Sequence, residues 1–369
     1  MYSFGFISLN PELENSYFTE VAKRASDFNI ECYRFSPTQI NPVTHLVTGE
    51  KFHPDLQEWQ PQRFQLPDIL YDRCFYSEHP LAKNALAIMK WLKNRGDLLF
   101  IGHGLPNKWK LYQTLSNSNL SPYVVKTISV TDAFQTLSFL EKEKKIILKP
   151  ASGSGGMGIA CLEKEEDAIS VIVEKQQQIL RSTFPSLSVA QKWIDNIRTK
   201  KEYLAQPYLK LVDQDNRPFD IRILLQKDGN GHWVERGRGI RTGQANGVLS
   251  NLSAGAETVP FHNWFNSINP KNIEFLEKEI NEITTQLPII LEETYPPLFE
   301  IGVDIGVALD LSLWILDVNS KPGRKVVLET TPYAQESLYT APLEYGRMLA
   351  GQHEHGRKSY EKTFSNRNQ

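Results

Sequence analysis

The chain has 369 residues, too many for one simple core, so two or three lobes are expected. A hydrophobic fraction of 40% with 23% charged residues is that of an ordinary soluble globular protein, and a net charge of −2 gives bulk electrostatics no hold on nucleic acid or an anionic membrane. No window holds the roughly 18 apolar residues that a spanning helix needs, the first residues do not read as a signal peptide, and three scattered cysteines (Cys32, Cys74, Cys161) read as reduced thiols of a cytoplasmic protein.

Residues 3–8 alternate and are rich in β-formers, 13–28 carry the period of an amphipathic helix, and 30–35 read as a strand. This β-α-β opening predicts an α/β lobe with a parallel sheet. Residues 37–66 show little periodicity. A strand resumes over 67–73, a helix over 80–96 and a short strand over 98–101; the next helix is expected from Trp109 to Ser118. Strands over 145–150 and 159–162 flank a glycine-rich loop. Glu, Lys and Gln content predicts helices over 165–181 and 188–200, followed by a strand over 203–207. Residues 219–257 read as an antiparallel meander that turns at Asp228-Gly-Asn-Gly231. A helix over 272–286 precedes strands 299–305 and 313–318, which lead into Asn319-Ser-Lys-Pro-Gly323. The stretch after about 352 is polar and is expected to fray. The expected divisions are 1–105, 106–205, 206–352 and a tail of 353–369.

Three motifs carry chemistry. The first is the loop Lys149-Pro-Ala-Ser-Gly-Ser-Gly-Gly-Met-Gly158, containing Ser152, Gly153, Ser154, Gly155, Gly156 and Gly158. Without a Cβ, backbone N–H groups can approach phosphate oxygens, and Lys149 can bring its ammonium to the same anion. A strand rather than a helix follows, which argues against a dinucleotide fingerprint, and no Gly-Lys-Ser/Thr follows as in a P-loop. A flap between antiparallel strands fits better; a bare hairpin is the alternative for this loop alone. The second motif is Asp304 with Asp317-Val-Asn319. Asp317 and Asn319 share a strand face, and three oxygen donors converging on apolar strands suit Mg²⁺. The third is Asp220-Ile-Arg222 with Arg236, Arg238, Arg241 and Ser250-Asn-Leu-Ser253: arginines on strands can clamp an anion bidentately, or form cross-strand ion pairs. Lys108 and Lys110 open a helix, Asp72 and Arg73 end a strand where α/β sheets bind ligands, and His353-Glu-His355 reads as incidental.

Together and in order, these motifs resemble the ATP-grasp superfamily from Lys108 to Gly323, and more specifically the YheC/YheD group of spore-coat-associated ATP-grasp proteins. The segments carrying the resemblance are 67–73, 107–112, Arg217-Pro-Phe-Asp-Ile-Arg222 and 314–324. RimK-type glutamate ligases share the later motifs more loosely. The resemblance implies a pre-ATP-grasp lobe, a small central lobe with the flap, and a C-terminal lobe with the metal ligands. It implies ATP and Mg²⁺ (two ions) as cofactors, with Asp304, Asp317 and Asn319 on the metal positions. It places Lys108 or Lys110 and Lys149 at the phosphates, the hinge Gln206, Pro207, Tyr208 and Leu209 at adenine, and Asp213 at the ribose. Arg222 and Arg241 would stabilise an acyl phosphate, with Asn251 near the phosphates. Asp317 stands where a Glu is usual, and Leu-Ser-Ala-Gly-Ala follows Asn251 in place of paired glycines. The implied reaction joins a small-molecule carboxylate to an amine, an amino acid or peptide, with neither nucleic acid nor membrane as partner and a homo-oligomer as one option. A small-molecule kinase and a non-catalytic nucleotide-binding coat component are the alternatives.

Overall fold

A computed structural model describes the backbone of residues 1–365 apart from 77–79, 154–155, 176–177, 246, 248–249, 251–255 and 266–267. The first lobe runs β1 (Tyr2–Ile7), α1 (Asn15–Lys23), β2 (Ile30–Phe35), β3 (Leu46–His53), β4 (Glu58–Gln65), β5 (Ile69–Asp72), α2 (Pro80–Lys93) and β6 (Leu99–Phe100). Its sheet has the order β4-β3-β2-β1-β5-β6. The β2-β1-β5-β6 portion is parallel, as the opening pattern predicts. Alternate residues serve opposite faces: Phe4, Phe6 and Tyr71 meet Phe18 and Val21 of α1, whereas Ile7, Phe35 and Leu70 meet Met89 and Leu92 of α2. The β3–β4 hairpin lies in the segment expected to lack periodicity. Few of its residues are buried (Val47, Phe52 and Phe64 among them), so its polar outer face conceals the alternation.

Next come α3 (Lys108–Ser116), β7 (Ile128–Ser129), α4 (Ala133–Glu143), β8 (Lys145–Pro150), β9 (Ala160–Lys164), β10 (Ile169–Lys175), β11 (Gln178–Phe184), α5 (Leu187–Arg198) and β12 (Tyr203–Pro207). The second sheet has the order β11-β10-β9-β8-β12-β7, and its pairings among the described residues are antiparallel. The helix expected over 165–181 is instead the β10–β11 hairpin. Ile169 and Val171 are buried at period 2 against Leu162 and Ile194, and β-branched residues at that spacing prevail over a helix-forming composition. Leu111 and Leu115 of α3 join the core of the third lobe rather than that of the second.

The third lobe comprises β13 (Phe219–Lys227), β14 (Trp233–Thr242), β15 (Glu257–Pro260), α6 (Phe261–Phe265), α7 (Pro270–Thr294), β16 (Glu300–Val307), β17 (Leu313–Asn319), α8 (Lys325–Thr330) and α9 (Gln335–Ser365). The antiparallel sheet β15-β14-β13-β16-β17 lays Ile221, Ile223, Val303 and Ile305 on a helical stripe of Leu276, Ile280, Ile283, Leu287 and Leu291 from α7. The opposite face of the sheet turns to the cleft and to α8. The stretch expected to fray after about 352 is helical as far as Ser365. Helix α9 is anchored where Tyr339, Leu343, Tyr345 and Ala350 return to the core of the first lobe, and the helix continues from there. Among the described residues, no helix is long and apolar enough to cross a membrane.

The first and third lobes meet through buried charge. Glu300 of β16 is 2% exposed and accepts from Arg73 Nη1 (2.6 Å), Tyr71 Oη (2.6 Å) and Arg324 Nη2 (2.7 Å). Arg73 also reaches Glu14 (2.5 Å), and the Arg324 guanidinium lies 3.5 Å from the Tyr17 ring centroid. Each charge has a close partner, which burial requires.

Candidate active site

A cleft of about 730 Å³ lies between the second and third sheets and runs to the carboxyl end of the first. The antiparallel register of β16 and β17 builds its floor: Asp304 is the cross-strand partner of Asp317, and Gly302 that of Asn319. Asp304, Asp317 and Asn319 all line the cleft. Opposite them, β8 delivers Lys149 to the mouth of the glycine loop, and the first residue of α3 delivers Lys108. Lys149 Nζ donates to the Leu316 carbonyl at 3.0 Å, and Lys108 donates to Asp317. Asn319 Nδ2 donates to the other Asp317 oxygen at 3.2 Å.

Deeper in the cleft, two carboxylates and two guanidiniums compensate one another. Arg222 donates to Asp304; Arg241 reaches Asp304 at 2.8 Å and holds Asp220 bidentately at 2.7 Å through both nitrogens. Ser250 also donates to Asp220. Burial alone would raise Asp304, but Arg222 and then Arg241 hold it far below the usual carboxylate range. Asp220 goes the other way: burial raises it, and the Asp304 charge adds to the rise against the pull of Arg241. Across the cleft, burial and then the Lys108 ammonium push Lys149 down to about 8.

Glycine at 302 makes room for this arrangement. A Cβ there would stand 2.7 Å from Pro322 Cβ and 2.9 Å from Arg222 Nη2. A Gly302→Ala variant is therefore expected to lose about 1–3 kcal/mol of stability and to displace Arg222. The check is urea denaturation beside nucleotide binding; wild-type values in both would contradict the packing described.

Of the residues singled out from sequence, Lys108, Lys149, Ser152, Gly153, Gly156, Gln206, Pro207, Tyr208, Leu209, Arg222, Arg241, Asp304, Asp317 and Asn319 share this one cleft. Between the two lysines open at the start of α3, Lys108 lines the cleft and Lys110 does not. Gly158 does not line it; with φ of +83° and Pro150 and Tyr203 close by, it shapes the loop. Nor does Asp213, whose carboxylate caps its own turn by accepting from the Asp215 and Arg217 backbone and the Arg217 side chain. Ser154, Gly155 and Asn251 lie outside the described residues. Arg238 pairs with Glu235 and Arg236 contacts the Lys227 carbonyl, so neither joins the site. Sequence reasoning missed the apolar wall: Ile147 and Leu316 line the cleft, whereas Leu148, next to Ile147, is core. That strand alternation was the available signal. It also assigned no role to Lys93 and Lys321, which line the far end.

The donor set suits a hard cation. Two carboxylates and an amide oxygen on adjacent strands are what Mg²⁺ takes beside phosphate oxygens and water. No cluster of three or more His, Cys, Asp or Glu among the described residues could hold a metal by itself.

Comparison with known proteins agrees with this architecture. A family model described as "YheC/D like ATP-grasp" matches residues 97–349. The endospore coat-associated protein YheC of Bacillus subtilis (strain 168) is 39% identical over 345 residues, covering 93% of this chain and 95% of the relative. Among solved structures, the D-alanine-D-alanine ligase from Coxiella burnetii has a TM-score of 0.53 at 11% identity, over 98% of this chain and 99% of the other. D-cycloserine synthetase DcsG has the same TM-score and identity, over 95% and 99%. At such identities the likeness is one of fold.

Proposed function

Because the chain belongs to the YheC/D-like ATP-grasp family, we propose that it is an ATP-dependent carboxylate–amine ligase that forms an amide through an acyl phosphate. The observation that carries this reading is the single cleft into which Asp304, Asp317 and Asn319 project from one side and Lys108 and Lys149 from the other. Ligases in the structural neighbourhood share the fold.

In this reading ATP is the phosphoryl donor, and its adenine sits at Gln206, Pro207, Tyr208 and Leu209 beside the apolar wall. Asp304, Asp317 and Asn319 would hold Mg²⁺, which would supply charge neutralisation on the phosphate oxygens. Lys108 and Lys149 place two ammonium groups where the triphosphate carries most charge. When the triphosphate enters, Lys108 exchanges Asp317 for phosphate oxygen. The substrate carboxylate oxygen attacks the γ-phosphorus and ADP leaves. Arg222 and Arg241 are already fixed by Asp304 and Asp220, so they meet the acyl phosphate without reorganising. The amine nitrogen then attacks the acyl carbon, the C–O bond to phosphate breaks, and the amine releases a proton. Nothing in this sequence requires a protein nucleophile. The first lobe supplies the substrate end of the cleft, the second the flap, and the third the metal ligands. An ATP-consuming reaction fits a cytoplasmic location, beside the coat association that names the relative YheC.

The test is Asn319→Ala. ADP formation should fall by about 10²-fold or more with the melting temperature kept; turnover equal to wild type would remove the metal assignment. A stable phosphorylated product instead of a conjugate would replace ligation by a kinase reaction.

A further inference from the structure

The substrate end of the cleft, supplied by the first lobe, carries charged groups that the steps above do not use. It lies outside the carboxyl ends of β1 and β5, where the strand order of the parallel sheet reverses and α/β sheets bind ligands. Asp72 is buried there beneath two lysines. Lys93 Nζ donates to its Oδ2 at 2.6 Å, and Lys321 Nζ, arriving from the loop after β17, to its Oδ1 at 2.7 Å. Lys321 spends a second N–H on the Cys74 carbonyl at 2.8 Å. An ammonium has three donors, so at least one on Lys321 and two on Lys93 have no other hydrogen-bond acceptor among the described residues. Both lysines line the cleft, and among the described residues two positive charges face one negative, so the cluster carries one surplus positive charge. Phe75 stands at the same rim, half exposed, with the Arg73 guanidinium 5.5 Å from its ring centroid.

Resting on the ligase reading, we infer that this end is an anion subsite in which Lys93 and Lys321, fixed by Asp72, hold a carboxylate that the reaction leaves unchanged. A single net charge matches a carboxylate monoanion better than a phosphate dianion, and the exposed Phe75 face suits the carbon skeleton of an amino acid or peptide. The carboxylate belongs either to an acid substrate with a second carboxyl group or to an amino-acid amine substrate. The subsite joins lobes one and three, so it also makes substrate binding depend on their docking.

The experiment is calorimetric titration of the full chain, saturated with Mg-ADP, with L-glutamate against L-glutamine and with L-alanine against L-alaninamide. The wild type should prefer the more anionic member of one pair by about tenfold or more: the first pair if the acid carries the extra carboxylate, the second if the amine does. K93Q and K321Q each leave Asp72 with one lysine and bring the cluster to zero charge, so each should cut the preference below about threefold while Mg-ADP binding is unchanged. The two variants lie on different lobes, so a folding defect in one leaves the other as the test. No preference in either pair, or a preference kept by the folded variants, overturns the subsite. Failure of the wild type to bind Mg-ADP would overturn the ligase reading instead, and the same titrations without nucleotide would still judge the subsite.

Discussion

A Lys149→Met variant is expected to form ADP about 10²–10³-fold more slowly than the wild type at saturating substrate, yet to melt no lower at neutral pH. The two expectations have one cause. The Lys149 ammonium donates to the Leu316 carbonyl and feels the Asp317 and Asp304 carboxylates, but burial and the Lys108 charge outweigh these and push it down to about 8 from 10.5. A cation whose pKa is depressed in this way costs the fold stability at neutral pH, and it is available for an incoming anion. The sign of the pH dependence follows. Between about 8 and 10.5 the unfolded chain holds more protons at this position than the folded one, so wild-type stability gains from rising pH in that window. The methionine variant lacks that gain, which thermal melts at pH 7 and pH 9.5 would detect. A bound triphosphate favours the protonated form, so nucleotide binding above pH 8 should take up a proton in the wild type and not in the variant. An unaltered turnover rate in the variant would exclude Lys149 from the chemistry.

Replacing Glu300 by glutamine should have the largest effect on stability. The substitution keeps the shape and removes the charge facing Arg73 and Arg324, both buried. Arg73 retains Glu14 at 2.5 Å, but Arg324 is left with Glu14 at 3.9 Å. Breaking a buried pair in this way costs about 3–5 kcal/mol, read as a shift of the urea midpoint at constant m-value. Adding Arg324→Met should recover part of the loss, because the orphaned cation goes with it. Since Glu300 belongs to the third lobe and Arg73 to the first, the loss would report on how these lobes dock. A change under 1 kcal/mol would mean that water already satisfies the cluster.

How far these features could be read in the sequence depended on the reach of the physics behind them. Parallel strands such as Ile69–Asp72, buried on both faces, announce themselves as apolar runs, and Asp317 with Asn319 shares a face by period alone. The collinear order of the motifs pointed to one fold family, and the family match upholds that family. The failures were local conflicts. Residues 169–184 carry helix-forming polar residues around an alternating Ile169, Val171 and Val173, and burial of the alternating set decided for strands. The hairpin over 46–65 buries too little to show a period. Asp213, which the resemblance places at the ribose, spends its carboxylate on hydrogen bonds within its own turn. Long-range pairs were not legible. No local pattern joins Asp72 to Lys321, or Arg241 to both Asp220 and Asp304.

In the proposed reaction this cleft couples ATP cleavage to joining an acid and an amine. Its most direct test is Mg²⁺-dependent ADP release across a panel of amino acids and short peptides, with product masses recorded for wild type and for Asp317→Asn. ADP is expected only when an acid and an amine are both present, in step with a conjugate lighter by one water than their sum, and at least about 10²-fold less of both is expected in the variant. ADP released at equal rates by both proteins, or with a phosphorylated acid as the final product, would contradict it.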